Sequence, residues 1–222
     1  MKKILVVAVH PDDETLMCGG TLLKHKAGGD KIYWLIVTDI NKEHGWGEAV
    51  VTKRDNEIQK VEDLYDFDKT FNLNFPTTKL DEIPLNKIIE SISNVFNEVQ
   101  PNIIYLPNRS DIHSDHKIAF HAAYSCTKNF RYPFIERVLA GETMSETEFV
   151  PALPENIFTP NVFIDITNFL EQKLNIFETF NSEVMKNNYP RSISAIKSLA
   201  RFRGSSIGKK YAESFMLLKE IK

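Results

Sequence analysis

The amino-acid sequence predicts an α/β, Rossmann-like fold: a mostly parallel sheet with helices on both faces, in a single domain over residues 1–222. Three observations predict it. Strand-like and helix-like stretches alternate four times in the first half, which implies parallel strands joined by right-handed crossovers. The first strand-like stretches are continuous apolar runs, as in strands covered on both faces, and do not alternate apolar with polar residues. No internal repeat, low-complexity run or linker divides the chain.

Each element follows from its own pattern. Residues 3–9 are rich in β-branched side chains. Residues 15–27 carry Leu16, Leu22 and Leu23 at helical spacing, and Gly28-Gly29 supplies the stop. A second strand is expected over 32–38, then a helix over 48–66 with Val50, Val51, Ile58, Val61 and Leu64 inward. A short third strand over 70–73 precedes a helix over 85–99, whose Ile88, Ile89, Ile92, Val95 and Phe96 share a face, and a fourth strand over 102–106. Beyond Pro107 the regularity loosens into a helix over 115–127, a strand over 136–140, a Pro-bearing loop over 142–160 and a strand over 162–166. Helices over 169–184 and 192–202 follow, divided by Asn187-Asn188-Tyr189-Pro190. Residues 1–130 are therefore expected to form the core with the site, and 131–222 an elaboration that completes a cleft.

Composition narrows the function classes. Apolar residues at 42% and charged ones at 26% are ordinary globular values. Acids outnumber bases 30 to 27, so no basic footprint suits nucleic acid or an anionic membrane, and neither partner is expected. No apolar run reaches membrane length, and MKKILVVAV lacks the cleavage site of an export signal. Cys18 and Cys126 fall in apolar helical patterns and read as buried thiols, which suits a reducing cytoplasm. The Phe-rich tail, with Phe169, Phe177, Phe180 and Phe202, suits a core or a homo-oligomer interface equally well.

Two clusters carry the chemistry. VAVHPDDE places His10, Asp12, Asp13 and Glu14 where the first strand ends, and DIHSDH places Asp111, His113, Asp115 and His116 just after the fourth. In the strand order 3-2-1-4-5 these two strands are neighbours, and the order reverses between them, opening a crevice at their carboxyl ends. Both clusters would line it, bringing together three of the six histidines. Imidazoles and carboxylates converging in a cleft suit a divalent cation, and mixed nitrogen and oxygen donors favour zinc or a similar first-row metal over magnesium. Such a metal lowers the pKa of a bound water to about 7, and a spare carboxylate can accept its proton. Spacing alone does not tell ligand from base at Asp12 and Asp13.

AVHPDDE and HSDH resemble the motifs of the LmbE/PIG-L family of zinc-dependent N-acetylglucosaminyl deacetylases. Weaker similarity extends to Arg54 in its RDNE segment, SETEF, PNVFIDI, YPRS and RGSSIGKKYAESF. The resemblance implies Zn2+, with Fe2+ or another divalent first-row metal as substitutes, held by His10, Asp13 and His116. It implies Asp12 as the base for the attacking water. His113 would stabilise the oxyanion or protonate the leaving amine, Asp115 would orient His113, and Arg54 would contact substrate. The implied substrate is a small N-acetylated sugar in a glycoconjugate or nucleotide sugar.

Plainer roles stand beside these. Asp12 and Asp13 would merely cap the following helix, and Asp115 would cap its own. Arg54 would pair with Glu57 on the helix surface. Asp111 reads as a loop organiser, Glu213 as a supporting or substrate residue, and His25, His44 and His121 as surface or packing groups. Asp39 mimics a ribose-binding acid, without the glycine fingerprint that would support it. The loops over 41–47 and 131–160 are expected cleft walls, with Trp46, Phe130 and Tyr132 as aromatics able to stack on a sugar or to pack. Two other function classes fit parts of the pattern: a magnesium-dependent phosphatase or phosphotransfer domain using Asp12-Asp13, and a non-catalytic sugar-binding module that keeps a metal cleft.

Overall fold

A computed structural model covers residues 1–222. Its strands are β1 (Lys3–Ala8), β2 (Lys31–Asp39), β3 (Lys69–Pro76), β4 (Ile103–Leu106), β5 (Arg137–Gly141), β6 (Val162–Asp165) and β7 (Ala212–Glu220). The helices are α1 (Asp13–Ala27), α2 (Glu48–Tyr65), α3 (Leu85–Val99), α4 (Ser114–Ser125), α5 (Leu170–Phe177) and α6 (Ile193–Ser205). All seven strands form one sheet in the order β3-β2-β1-β4-β5-β7-β6. The strands β1 to β5 run parallel, and β7 is antiparallel to both β5 and β6.

Alternation along β1 builds both cores. Ile4, Val6 and Ala8 point to one face, where α1, Trp34, Tyr65, Phe177 and Phe180 pack. Leu5, Val7 and Val9 point to the other, against Ile88, Ile92 and Phe96 of α3 and Ala119 and Phe120 of α4. Every one of these β1 side chains is fully buried, each aliphatic residue larger than Ala contributing about 1.5–3 kcal/mol. Close approach of α1 explains its paired glycines: a Cβ on Gly19 would lie 2.5 Å from the Tyr65 hydroxyl, and one on Gly20 would lie 2.8 Å from Ile166.

Three expectations about elements need correction, and one further element has no counterpart among them. The buried face of α2 is Glu57, Val61 and Tyr65, whereas Val50 and Leu64 are exposed; its first turns lie over a cleft instead of the core. The strand β3 is longer than expected, running on to Pro76. The helix expected over 169–184 stops at Phe177, and Ser182 and Glu183 sit in turns that reach the cleft. The stretch after α6 is a full strand, β7, inserted between β5 and β6. Of the tail aromatics, Phe177 and Phe180 are core and Phe202 is exposed. Cys18 and Cys126 are free and buried. No helix is long and apolar enough to cross a membrane.

Candidate active site

The β1–α1 and β4–α4 turns meet at the carboxyl ends of adjacent strands, beside a cleft of about 460 Å³. Ring centroids of His10 lie 4.6 Å from His113 and 5.3 Å from His116. One donor atom each from His10, Asp13 and His116 lies within 4.8 Å of the others. The same spacing holds for His10, His113 and Asp115, so the donors' other partners decide which triplet suits a cation.

Those partners favour the first set. His116 is fully buried; its Nδ1 donates to Asp111 Oδ2 at 2.9 Å, leaving Nε2 buried without a hydrogen-bond partner and 3.3 Å from Asp13 Oδ2. An imidazole held by a carboxylate through one nitrogen, with the other nitrogen bare, is the arrangement of a metal-ligating histidine. Asp115, by contrast, is already engaged: Oδ2 accepts from Thr78 N–H at 2.6 Å and Oδ1 from Leu80 N–H at 3.1 Å. His113 Nδ1 accepts the Asp115 backbone N–H at 3.1 Å, capping α4.

Asp115 serves two histidines: its carboxylate has an oxygen within 4.8 Å of a His113 ring nitrogen and favours that ring's charge, and it approaches His10 as well. Its Oδ2 lies 3.4 Å from His10 Nε2, and its backbone N–H donates to His113. Asp111 does more than organise a loop, since it also accepts from Thr147 Oγ1 at 2.6 Å while holding His116. Each of the two histidines in the first triplet thus leans on a carboxylate from the β4–α4 turn.

Neither Asp12 nor Asp13 caps α1. Asp13 Oδ2 accepts from the Val9 and His10 N–H groups at 3.0 and 2.8 Å, folding the turn back on itself, and Asp12 makes no side-chain cap. Asp12 holds φ 140° and ψ −26°, a conformation that costs a non-glycine residue about 1–3 kcal/mol. Its N–H donates to Glu14 Oε2 at 3.0 Å, and its carboxylate lies 3.5 Å from Arg191 Nη1.

Burial sets the electrostatics. It raises the Asp12 carboxyl well above the ordinary range, and the neighbouring Asp13 and Glu183 charges add to this. Asp13 is buried as well, yet His116 and His10 beside it hold its pKa well below the carboxylate range. Burial works against a charged His116, but the Asp13 and Asp111 carboxylates outweigh it and raise that histidine's pKa. Burial and the nearby His10 lower the pKa of His113.

Arg54 lines the cleft, tied to the Pro11 carbonyl at 3.0 Å, to Glu183 and, at 3.7 Å, to Glu57. Glu183 also pairs with Arg191 at 3.1 Å, so both arginines and both acids of this wall form one chain of charges. Trp46 lines the cleft, 43% exposed; Phe130 is exposed elsewhere, and Tyr132 is buried and bonded to Ser93. Asp39 reaches the cleft, bonded to Asn72. Glu213 lies beneath α1, paired with Lys173 at 2.7 Å. His25 bridges Asp30 and Tyr105, and His121 is exposed.

Glu146 and Arg191 fall within SETEF and YPRS, two segments of weaker family similarity, but neither residue is given a role by the sequence, and Glu183 is not marked by it at all. Glu146 Oε2 accepts the His113 N–H at 3.2 Å, and all three line the cleft. Their segments, SETEF, NSEV and YPRS, come from loops whose positions depend on the tertiary fold.

Fold and site together define a doubly wound α/β protein with a histidine and carboxylate centre at its switch point. The chain matches the family described as GlcNAc-PI de-N-acetylase (PIG-L) over residues 5–127, more than half its length, and it belongs to that family. It is 25% identical over 223 residues to diacetylchitobiose deacetylase of Thermococcus kodakarensis, spanning 96% of this chain and 82% of that protein. Its structure resembles the conserved protein TT1542 from Thermus thermophilus, with TM-score 0.78, 26% identity and coverage of 100% and 97% of the two chains. N,N'-diacetylchitobiose deacetylase from Pyrococcus horikoshii shares the fold, with TM-score 0.77, 20% identity and coverage of 98% and 84%.

Proposed function

We propose that the protein is a metal-dependent amidohydrolase that removes the acetyl group from an N-acetylglucosamine-type sugar in a glycoconjugate or nucleotide sugar. The observation that carries this reading is the bare, buried Nε2 of His116 beside Asp13 and His10, next to a further buried carboxylate, Asp12. Membership of a de-N-acetylase family and the activity named for two relatives support it.

The donor set fits a first-row cation: two imidazoles and one carboxylate match zinc or Fe2+ and are foreign to magnesium, which prefers oxygen. His10, Asp13 and His116 would hold that cation, which when bound supplies Lewis acidity and activates water. Asp12 is the base. Its raised pKa makes it a better proton acceptor than an exposed carboxylate, and Arg191 steadies the carboxylate. With Nδ1 engaged by the Asp115 N–H, neutral His113 carries its proton on Nε2 and offers it as a hydrogen bond to the developing oxyanion. Water oxygen joins the carbonyl carbon, the C–N bond breaks, and the amine departs with the proton that Asp12 took from the water. Acetate and the free amino sugar are the products.

The test couples metal analysis to acetate release from a panel of N-acetylated sugars. Zinc or iron near one per chain, acetate release, and loss of both in His116→Ala are expected. Undiminished turnover by metal-free protein overturns the reading, as does phosphate release that needs magnesium and ignores zinc chelators.

A further inference from the structure

Glu14 is the only acid of the HPDDE turn without a place in the chemistry above. It is fully buried, with no cation paired to it. One oxygen accepts the Thr15 hydroxyl at 2.6 Å, and Thr15 is itself fixed by the Tyr65 hydroxyl at 3.0 Å. The other oxygen accepts the backbone N–H of Asp12 at 3.0 Å, at the residue with φ 140°. A buried carboxyl without a counter-charge is costly, so its retention calls for a physical reason. An unfavoured backbone conformation persists only where its surroundings over-determine it. Arg54 holds the carbonyl end of the same peptide, donating to Pro11 O at 3.0 Å, and the Asp12 carbonyl accepts the Thr15 and Leu16 N–H groups at 3.0 and 2.9 Å, so Glu14 is what holds the N–H side of the peptide.

We propose that Glu14 is a positioning residue: reaching back two residues from a side chain locked by Thr15 and Tyr65, it clamps the Asp12 peptide and so aims the Asp12 carboxylate at the reacting water. The clamp acts on the base and not on the cation, because Asp13 and His10 are fixed separately through the Val9 and His10 N–H groups, and His116 through Asp111. The inference rests on the deacetylase reading only for its kinetic consequence.

Reach, not charge, is the property at stake, and two variants separate them. Glu14→Gln keeps an acceptor at the same distance and offers its NH₂ to Thr15. Glu14→Asp keeps the charge but withdraws the acceptor by one methylene. With zinc-loaded enzyme and N,N'-diacetylchitobiose as probe, Glu14→Gln should hold kcat within about 3-fold of wild type. Glu14→Asp should lose about 10- to 100-fold in kcat, the scale set by sub-ångström to ångström misplacement of a reacting group, with KM and zinc per chain unchanged. Unchanged kcat in Glu14→Asp, equal losses in both variants, or zinc lost in step with activity overturns the proposal. A second arm needs no turnover: in crystal structures of zinc-loaded wild type and Glu14→Asp, Asp12 should leave positive φ in the variant while His10, Asp13 and His116 superpose. An Asp12 that stays in place overturns the clamp. Wild type inert toward every N-acetylated sugar counts against the deacetylase reading alone.

Discussion

Asp111 and Asp12 do opposite jobs with the same functional group. Asp111, fully buried, fixes the tautomer of His116 and is saturated by His116 and Thr147. Asp111→Asn should therefore weaken metal binding by roughly 10- to 100-fold, as lost carboxylate support of a ligand usually does. Competition with a chromophoric chelator measures it. Asp12 makes no cap and is held toward the cleft, so Asp12→Asn should lower kcat by at least about 100-fold while zinc per chain stays constant. Loss of zinc in that variant would reassign Asp12 from base to ligand. Both clusters were legible in the sequence because crowded charge at a strand end is itself a signal. The approach of Asp115 to His10 as well was not, because it depends on where Thr78 and Leu80 present their N–H groups.

Helices and strands that alternate in sequence announce themselves through apolar runs, and β1, β2, β4 and β5 follow that rule, whereas β3 alternates Phe71, Leu73 and Phe75 with Asn72 and Asn74. The strand β7 departs from both patterns. Its first half, Ala212 to Phe215, is wholly buried yet contains Glu213 and Ser214, so its polarity disguises a central position. Glu213 is tolerated there because Lys173 of α5 pairs with it and the Gly20 and Thr21 N–H groups donate to it at 2.9 and 2.7 Å. The cluster ties α1, α5 and β7 together. Removing the cation alone strands a buried charge, so Lys173→Met should cost about 3–5 kcal/mol, and adding Glu213→Gln should recover part of that loss. Urea denaturation of the two variants tests it. Short helices such as α5 were overestimated for a related reason: apolar spacing continues through Phe180, but the turns after Phe177 carry Glu183 and Arg191 toward the cleft.

At the scale of the whole molecule, one buried acid should tilt stability with pH. The ordinary glutamate value is 4.5, and burial raises Glu14 to about 7. Between those values the folded protein keeps a proton that the unfolded chain releases, so stability falls as pH rises. This group accounts for a loss of about 3 kcal/mol, complete once pH is above 7. Glu14→Gln has no such loss. In metal-free protein, the urea stability of wild type should fall behind that of the variant as pH rises from 5 to 8; parallel curves would remove Glu14 as the cause. The order β3-β2-β1-β4-β5 was legible because parallel crossovers have few solutions, whereas loops that bring Glu146 and Arg191 to the cleft carry no period to read.

The central place of β7 has a consequence for synthesis. Of the seven strands it is the last to be made, yet β6 joins the sheet only through it. A ribosome-bound chain lacking β7 would have β5 with one side unpaired and β6 with no neighbour, open to strand exchange or capture by a chaperone. Completion of the sheet thus waits for β7, and arrested nascent chains that lack it should be cut readily by protease around β6.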